Sequence, residues 1–499
     1  MLMTRDRSRR RRGTVWLLLG VCAIAVTAAL LAVGARTGHS NRPQSKPVVA
    51  GSSAAVRVVE LVVPTSDGLR LPATLRLPAQ VRGPVPGMVL VHGAGASARE
   101  DYRTEAEAFA EAGVATLAYD RRSVGYSLTE RSYSRLADDA VAAARVLRAQ
   151  SGVDPGSVGL WGLSEGGWVA PLAASRAPDT AFLIVVGANG VAPLRQQVWA
   201  EAVKLESVGV RGSLVDAASA QTYGLINAMG LFPEAFYDPG PVLEKLTLPV
   251  LGIWGALDRS TPPVESVALF REGLLRAGNE HFVLRTFDGA SHALRSTDDG
   301  FREGPDLVPG YRELIGQWVA STTSGRHWPV SVAGVGQQPR LTAEIRPASW
   351  YEGATAHAVA LAVMVGGFTG FGLVALIRRM ARRIRRAGPA LDQAAPRSAR
   401  VLAGAGLVTI VGTMLYLADI AVVRGGTHLD PGPLLLGRTL PWLALQLLAL
   451  TTVLAEIALA IRLVRSRPKA TGEALRLGLL LLAGAMFACW SVYWGLIFP

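Results

Sequence analysis

The pattern around Ser164 constrains the fold of this chain more than any other feature. An apolar, strand-like run covers residues 157–163, a glycine stands two positions away on each side of the serine, and a helix-like run covers residues 168–175. Such glycines leave room for a sharp strand-to-helix turn, which lifts a hydroxyl out of a sheet and sets it at a helix N-terminus. Ser164 is therefore a candidate nucleophile. A glycine-rich surface turn is the alternative for the pentapeptide taken alone.

The candidate acid and base follow two predicted strands downstream of Ser164. A serine hydroxyl needs a base to take its proton and a carboxylate to orient that base. A buried-strand pattern over residues 248–255 leads to Asp258, and an alternating pattern over residues 282–287 leads to His292. Both residues come just after the carboxyl ends of strands, where open α/β sheets place their sites. We expect Asp258 to be the acid and His292 to be the base.

Other interpretations of these positions stay open. Asp258 also suits a turn or N-cap ahead of the helix that Pro262 opens. Asp288 or Glu265 could serve as the acid instead. His281 lies on the wrong side of its strand, which leaves His292 as the better base.

The loop after the apolar run 89–91 supplies candidate oxyanion donors. Residues 92–95 include small side chains that let backbone N–H groups approach a developing oxyanion. We expect the backbone N–H groups of Ala94 and Glu165 to form the oxyanion hole. His92 is expected to be structural rather than catalytic.

Strand and helix patterns alternate through the middle of the chain. A hairpin is predicted over residues 56–65 and 69–77. Further strands are predicted near residues 88–91, 114–119, 158–161, 182–186, 250–254 and 282–287. This alternation predicts an α/β fold with a mostly parallel sheet covered by helices on both faces. Between about residues 190 and 240 a helical insertion interrupts this alternation. The insertion is either a cap over the pocket or two extra helices that pack in the ordinary way.

Residues 56–321 resemble the α/β-hydrolase superfamily, in particular bacterial esterases and serine hydrolases similar to prolyl oligopeptidases or aminopeptidases. Besides the turn at Ser164, residues 119–127 resemble that family's Y-D-x-R-G-x-G-x-S loop, with Ser123 in place of a common glycine. The chain order serine, acid, histidine is also that of the family. The resemblance implies an α/β-hydrolase fold and hydrolysis of an ester, thioester or amide through an acyl-enzyme.

Long apolar runs indicate a membrane protein that carries a soluble domain. Half of the residues are hydrophobic (50%), and each run is near the length that spans hydrocarbon. The runs cover residues 13–35, 354–377, 401–423, 434–461 and 475–498. The first run is expected to be a transmembrane anchor, and a cleaved signal segment is the alternative.

The net charge of +13 does not indicate a nucleic-acid partner, because arginines at the edges of the apolar runs supply most of it. These arginines lie within residues 5–12 and 378–386. Basic clusters beside spans mark the cytoplasmic face. With both clusters inside, the hydrolase domain lies outside the cytoplasm, and the chain is a multi-pass plasma-membrane protein with the lipid bilayer as a partner.

The predicted organisation follows from these boundaries. It consists of a basic tail with a transmembrane or signal segment (1–35), a linker (36–55), the hydrolase domain (56–323), a second linker (324–353) and a four-helix transmembrane region (354–499). Cys22 and Cys489 both lie in apolar runs, so the outer domain has no disulfide to use. Because no P-loop, dinucleotide fingerprint or metal-ligand cluster is present, we expect no cofactor and no metal.

Two classes of function remain. The first is a membrane-anchored serine hydrolase that acts on a small carboxylic ester, with a serine aminopeptidase or amidase as the alternative. The second is a non-catalytic or transport-coupled module in which the hydrolase-like domain binds a ligand. A complete set of Ser164, Asp258 and His292 favours the enzyme. Acyl chain length, oligomeric state and the purpose of the C-terminal region do not follow from the sequence.

Overall fold

A computed structural model describes residues 56–80, 83–95, 98–127, 129–326, 328–384, 396–423, 430–466 and 471–498. The basic tail, the first apolar run and the first linker lie outside these residues. Within them the chain forms two compact units. One comprises residues 56–203 and 230–346, and the other comprises residues 204–229 and 347–498.

The first unit contains a nine-stranded sheet in the order β1-β2-β4-β3-β5-β6-β7-β8-β9, counted over the described ranges. Its strands are β1 (Val56–Pro64), β2 (Arg70–Pro78), β3 (Val85–Val91), β4 (Ala115–Tyr119), β5 (Val153–Leu163), β6 (Leu183–Val186), β7 (Val250–Gly255), β8 (Phe282–Phe287) and β9 (Ser331–Ala333). β1 and β2 pair antiparallel, as do β2 and β4, and the pairs from β4 onward are parallel. The chain order reverses at β3, so the carboxyl ends of β3 and β5 flank the crevice in which open α/β sheets bind ligands.

The helices of both units are, in chain order, α1 (Arg103–Glu111), α2 (Tyr133–Arg148), α3 (Gly166–Arg176), α4 (Pro193–Ser207), α5 (Ser213–Asp216), α6 (Thr222–Ala228), α7 (Gly240–Leu243), α8 (Pro263–Arg276), α9 (Tyr311–Thr323), α10 (Ala354–Ile384), α11 (Arg397–Ala418), α12 (Leu440–Arg465) and α13 (Thr471–Tyr493). In the first unit, α2, α3 and α8 contribute buried residues to a core on one face of the sheet. α1 and α9 contribute to a second core on the other face. All residues of β4, β6 and β7 are buried, because parallel strands are covered on both sides.

The predicted α/β-hydrolase fold is confirmed, and each predicted strand corresponds to an observed one. The sequence interpretation missed β9, which pairs with β8 beyond the predicted domain end at residue 323. β9 has three residues, none of them fully buried. A segment this short shows neither a period-2 pattern nor an apolar run, so no sequence signal distinguishes it from a loop.

The second unit contains four helices, α10 to α13, that are long and apolar enough to cross a membrane. Small residues bring them close together: a Cβ atom at Gly406 would lie 2.6 Å from the Phe368 ring, and one at Gly367 would lie 2.5 Å from Ala483. The predicted third C-terminal run starts at residue 434, but α12 starts at Leu440. The Thr439 side chain accepts a hydrogen bond from the Trp442 N–H (3.4 Å) and so caps the helix there.

Residues 204–229, the middle of the predicted insertion, pack within this second unit. The Ser213 hydroxyl donates to the Gly495 carbonyl (2.6 Å) and accepts from the Trp442 indole (3.2 Å) and the Gln446 amide (3.3 Å). The Arg211 N–H donates to the Gly437 carbonyl (2.7 Å). Residues 204–229 are therefore tied to the start of α12 and the end of α13. The role of the predicted insertion as a cap stays a prediction.

Candidate active site

Ser164 lies on a strained turn between β5 and α3. Its φ angle is 57°, a left-handed conformation that costs a non-glycine residue about 1–2 kcal/mol. The turn is held by hydrogen bonds from the Ser164 N–H to the Val186 carbonyl (2.9 Å) and from the Gly167 N–H to the Ser164 carbonyl (2.8 Å). Backbone strain of this kind persists where the surrounding structure enforces it, and it clusters at functional sites.

The two motif glycines permit close backbone contacts that no larger residue allows. A Cβ atom at Gly162 would lie 2.2 Å from the Gly166 carbonyl oxygen, and one at Gly166 would lie 2.4 Å from the Val91 carbonyl oxygen. Both distances are far below van der Waals contact. The turn therefore requires glycine at both positions. These glycines let β3 and β5 pack closely beneath Ser164.

Asp258 follows β7 and is completely buried. Its Oδ1 accepts the backbone N–H groups of Ser260 and Thr261, each at 2.8 Å. Its Oδ2 accepts the Thr261 hydroxyl at 2.6 Å and contacts His292 Nδ1 at 2.8 Å. Buried polar groups need hydrogen-bond partners, and these donors supply them. The turn after β7 thus fixes the direction of this carboxylate.

His292 follows β8 and is brought to Asp258 by the parallel pairing of β7 and β8. Burial lowers the pKa of His292, but the charge and the hydrogen bond of the Asp258 carboxylate raise it by more, so the pKa lies above its ordinary value. Because the carboxylate accepts at Nδ1, the neutral imidazole carries its proton there and leaves Nε2 as the free base. The His292 side chain is 16% exposed whereas Asp258 is inaccessible, so only the imidazole can meet a substrate.

Ser164 and His292 lie beside two consecutive residues at the carboxyl end of β6. Ser164 bonds to Val186, and a Cβ atom at the next residue, Gly187, would lie 2.8 Å from His292 Nδ1. The structure therefore gathers the carboxyl ends of β5, β6, β7 and β8, with Ser164, Asp258 and His292 on them. These are the three residues that the sequence predicts as nucleophile, acid and base.

The alternative acid Glu265 has other partners. Its carboxylate accepts the Thr342 N–H (2.9 Å) and the Thr342 hydroxyl (2.8 Å), and Arg195 lies 3.3 Å away. Glu265 thus fixes the segment near residue 342 to α8, whereas Asp258 is the carboxylate that contacts His292.

The predicted oxyanion loop lies beside Ser164. A Cβ atom at Gly93 would lie 3.2 Å from Ser164 Cβ. The Gly93 N–H donates to the Tyr102 hydroxyl (2.6 Å) and its carbonyl accepts from Arg121. Because the Gly93 N–H already donates to Tyr102, it is not a free donor for an oxyanion. Ala94, the next residue, is exposed. Glu165 precedes the first turn of α3, where backbone N–H groups have no acceptor within the helix.

His92 is buried between aromatic rings, with ring centroids 5.3 Å from Tyr102 and 5.0 Å from Tyr119. Burial first, and then the charge of Arg121, lower the pKa of His92 to about 3. The imidazole is therefore neutral at physiological pH and packs as an aromatic side chain, in keeping with the structural role expected for it.

The sequence interpretation missed a charged cluster behind the nucleophile. The Glu165 side chain is 1% exposed, and its carboxylate accepts from Tyr126 (2.8 Å) and Arg131 (2.5 Å), with Arg121 at 3.8 Å. The family-like loop over residues 119–127 also contains Arg122, which donates to Asp139 (2.6 Å). In the described residues, no group of three or more His, Cys, Asp or Glu side chains is arranged to hold a metal ion.

Part of this chain is similar in sequence to known proteins. Residues 101–306 match the prolyl oligopeptidase family. A thiohydrolase, aneE, from Aspergillus aculeatus is 30% identical over 183 residues, which cover 34% of this chain and 56% of that protein. The chain thus spans little more than half the length of this curated relative.

Similar solved structures include a hyperthermophilic esterase from the archaeon Pyrobaculum calidifontis, with 17% identity, a TM-score of 0.36 and coverage of 60% of this chain and 91% of that one. Dipeptidyl peptidase 4 of Porphyromonas gingivalis has 15% identity, a TM-score of 0.37 and coverage of 54% and 36% respectively. The sheet order, the strained serine turn and the family match lead to one conclusion. This chain carries an α/β-hydrolase domain that matches the prolyl oligopeptidase family over residues 101–306.

Proposed function

We propose that the protein is a membrane-anchored serine hydrolase that cleaves carboxylic esters through an acyl-enzyme. The observation that carries the proposal is the 2.8 Å contact between His292 Nδ1 and the buried Asp258 carboxylate, at the same sheet edge as the strained Ser164 turn. A domain that only bound a ligand would need neither an oriented imidazole nor a strained serine.

The proposed reaction uses these three side chains in sequence. His292 Nε2 takes the proton from Ser164 Oγ as the oxygen attacks the acyl carbon, and Asp258 stabilises the imidazolium. The resulting tetrahedral intermediate expels the alcohol, which receives its proton from His292. Water then attacks the acyl-enzyme with His292 again as base, and the carboxylic acid leaves as Ser164 is restored.

Backbone donors would stabilise the negative charge of both tetrahedral intermediates. We assign this role to the N–H groups of Ala94 and Glu165, which follow β3 and β5 on either side of the crevice. Removing one such donor typically costs about 10²–10³-fold in kcat. We therefore expect each of the two donors to make a large contribution to kcat.

We rank ester hydrolysis first among three reactions that the same catalytic residues could carry out. The relative from Aspergillus aculeatus is named a thiohydrolase, which favours an acyl thioester as the second candidate substrate. The prolyl oligopeptidase family match favours an aminoacyl amide as the third. The non-catalytic or transport-coupled module remains the alternative of a different class.

We further propose that the four apolar helices anchor the domain in the plasma membrane with the hydrolase outside the cytoplasm. The arginines at residues 378–386 follow the apolar part of α10, and clusters of this kind mark the cytoplasmic side. The side that carries the hydrolase domain is then the opposite one, where its substrates are envelope or environmental esters.

Kinetics of the full-length protein in detergent test the proposal. Esters of graded acyl length, an acyl thioester and aminoacyl amides are compared by kcat/KM, with Ser164→Ala as the matched control. We expect the highest kcat/KM on esters and loss of turnover on every substrate in Ser164→Ala. Higher kcat/KM on amides would make the protein a peptidase, and turnover that survives in Ser164→Ala would exclude Ser164 as the nucleophile.

A further inference from the structure

We propose that Arg121 is a positioning residue that orients both backbone donors of the oxyanion hole. This inference rests on the proposed function, because it concerns the same site. One arm of the Arg121 guanidinium, Nη2, donates to the Gly93 carbonyl, and the other, Nη1, lies 3.8 Å from Glu165 Oε1. One side chain thus joins the two loops that supply the donors.

The contact with Gly93 sets the direction of the Ala94 N–H. The Gly93 carbonyl and the Ala94 N–H belong to one peptide unit, which is planar and trans, and the described chain contains no cis peptide bond. In such a unit the C=O and N–H bonds point in opposite directions. A guanidinium that holds the carbonyl on one side therefore aims the Ala94 N–H at the other. Hydrogen bonding at the carbonyl also polarises the unit and strengthens its N–H as a donor.

The contact with Glu165 acts on the second donor. Glu165 is the residue whose own N–H enters the hole, and its carboxylate is also bound by Tyr126 (2.8 Å) and Arg131 (2.5 Å). Two hydrogen bonds and the ion pair with Arg121 thus fix the orientation of Glu165 at the start of α3. Arg121 in turn lies 4.2 Å above the Tyr126 ring centroid, which completes a closed cluster.

Arg121 and Glu165 differ from an ordinary surface ion pair because both side chains are buried. The side chains of Arg121 and Glu165 are 4% and 1% exposed, and burying a charge costs free energy unless specific contacts compensate. Arg121 binds a backbone carbonyl next to the nucleophile, and a Cβ atom at Gly93 would lie 3.2 Å from Ser164 Cβ. Arg121 is not proposed to touch the substrate, so its effect must appear in the transition state rather than in substrate binding.

The test uses Arg121→Lys in the full-length protein, because lysine keeps the charge but cannot make both contacts. Ester kinetics are combined with titration of an alkyl boronic acid. In that adduct Ser164 Oγ forms a bond to boron, its proton moves to His292, and one boronate oxygen takes the place of the oxyanion. We expect kcat to fall about 10–100-fold, part of the cost of a lost donor, with KM within about 3-fold and boronate affinity falling in parallel with kcat.

The matched control is Arg122→Lys, at the adjacent buried arginine, whose carboxylate partners are Asp139 and Asp67. It should lower the melting temperature but leave kcat and boronate affinity within about 3-fold of the parent. If Arg121→Lys does not fold, Glu165→Gln removes the same ion pair and should show the same joint loss of kcat and boronate affinity.

Three outcomes would overturn the inference. Unchanged kcat and boronate affinity in a folded Arg121→Lys or Glu165→Gln protein would show that Arg121 does not orient the hole. An equal loss in Arg122→Lys would assign the effect to general destabilisation. A parent protein that neither turns over esters nor binds the boronate would reject the proposed function and this inference together, whereas the first two outcomes leave the proposed function intact.

Discussion

Replacing Asp258 with asparagine should abolish most activity while leaving the fold in place. Asp258 Oδ1 accepts two backbone N–H groups, and Oδ2 accepts the Thr261 hydroxyl and contacts His292 Nδ1. Asparagine keeps an oxygen for the backbone donors but places an NH₂ group where Oδ2 stood. Two donors cannot face each other, so His292 must turn its unprotonated nitrogen towards residue 258 and carry its proton at Nε2.

The expected magnitude follows from this change of tautomer. An imidazole protonated at Nε2 cannot take the serine proton, and the loss of a correctly oriented base costs about 10⁴-fold in kcat. At 1.36 kcal/mol for each factor of ten, this is about 5 kcal/mol of transition-state stabilisation. The stability cost is smaller, about 1–3 kcal/mol, because the side chain is isosteric and the Thr261 hydroxyl can rotate to accept from the new amide.

Two assays separate these effects. Thermal unfolding should show a folded Asp258→Asn protein with a lowered melting temperature, while ester turnover falls by about four orders of magnitude. The acid limb of the residual kcat/KM should also move to lower pH, because the Asp258 carboxylate no longer raises the pKa of His292 while burial still lowers it. A folded variant with activity within tenfold of the parent would refute the role of Asp258.

Four further predictions follow from the same geometry. In the parent protein the pKa of His292 lies above its ordinary value of 6.5, so the pH profile of kcat/KM should lose activity through a pKa above 6.5 as pH falls. Because Ser164 has a φ angle of 57°, Ser164→Gly should unfold with about 1 kcal/mol more free energy than Ser164→Ala, as measured by denaturant titration. Gly162→Ala places a Cβ atom 2.2 Å from a backbone oxygen, so it should lower the melting temperature severely or prevent folding. Alkaline phosphatase fused after Arg346 should be active and the same fusion near Ala390 silent, and the reverse pattern would place the hydrolase in the cytoplasm.

The sheet was predictable because its parallel strands carry a local signal. β6 and β7 are buried on both faces and read as short apolar runs. Asp258 and His292 could be placed after the carboxyl ends of two predicted strands, where open α/β sheets bind ligands. Their 2.8 Å contact could not be predicted, because it depends on the pairing of β7 with β8 and on the turn that orients Asp258.

The cluster behind the nucleophile could not be predicted in the same way. Glu165 meets Arg131 and Tyr126 across 34 and 39 residues of sequence, and no periodicity links such positions. Charged side chains are mostly exposed in folded proteins, yet those of Arg121 and Glu165 are buried. Buried polar networks depend on how loops fold over the sheet, and local sequence patterns do not report that.

Covalent labelling of the full-length protein with a fluorophosphonate tests the central claim most directly. Fluoride leaves phosphorus as the oxygen of an activated serine attacks, so the label marks a nucleophile that has a working base. Peptide mapping should find a single adduct on Ser164, and labelling should be lost in Ser164→Ala and strongly slowed in His292→Gln. An adduct on a different serine, or equal labelling rates in the parent and in folded His292→Gln, would contradict the account.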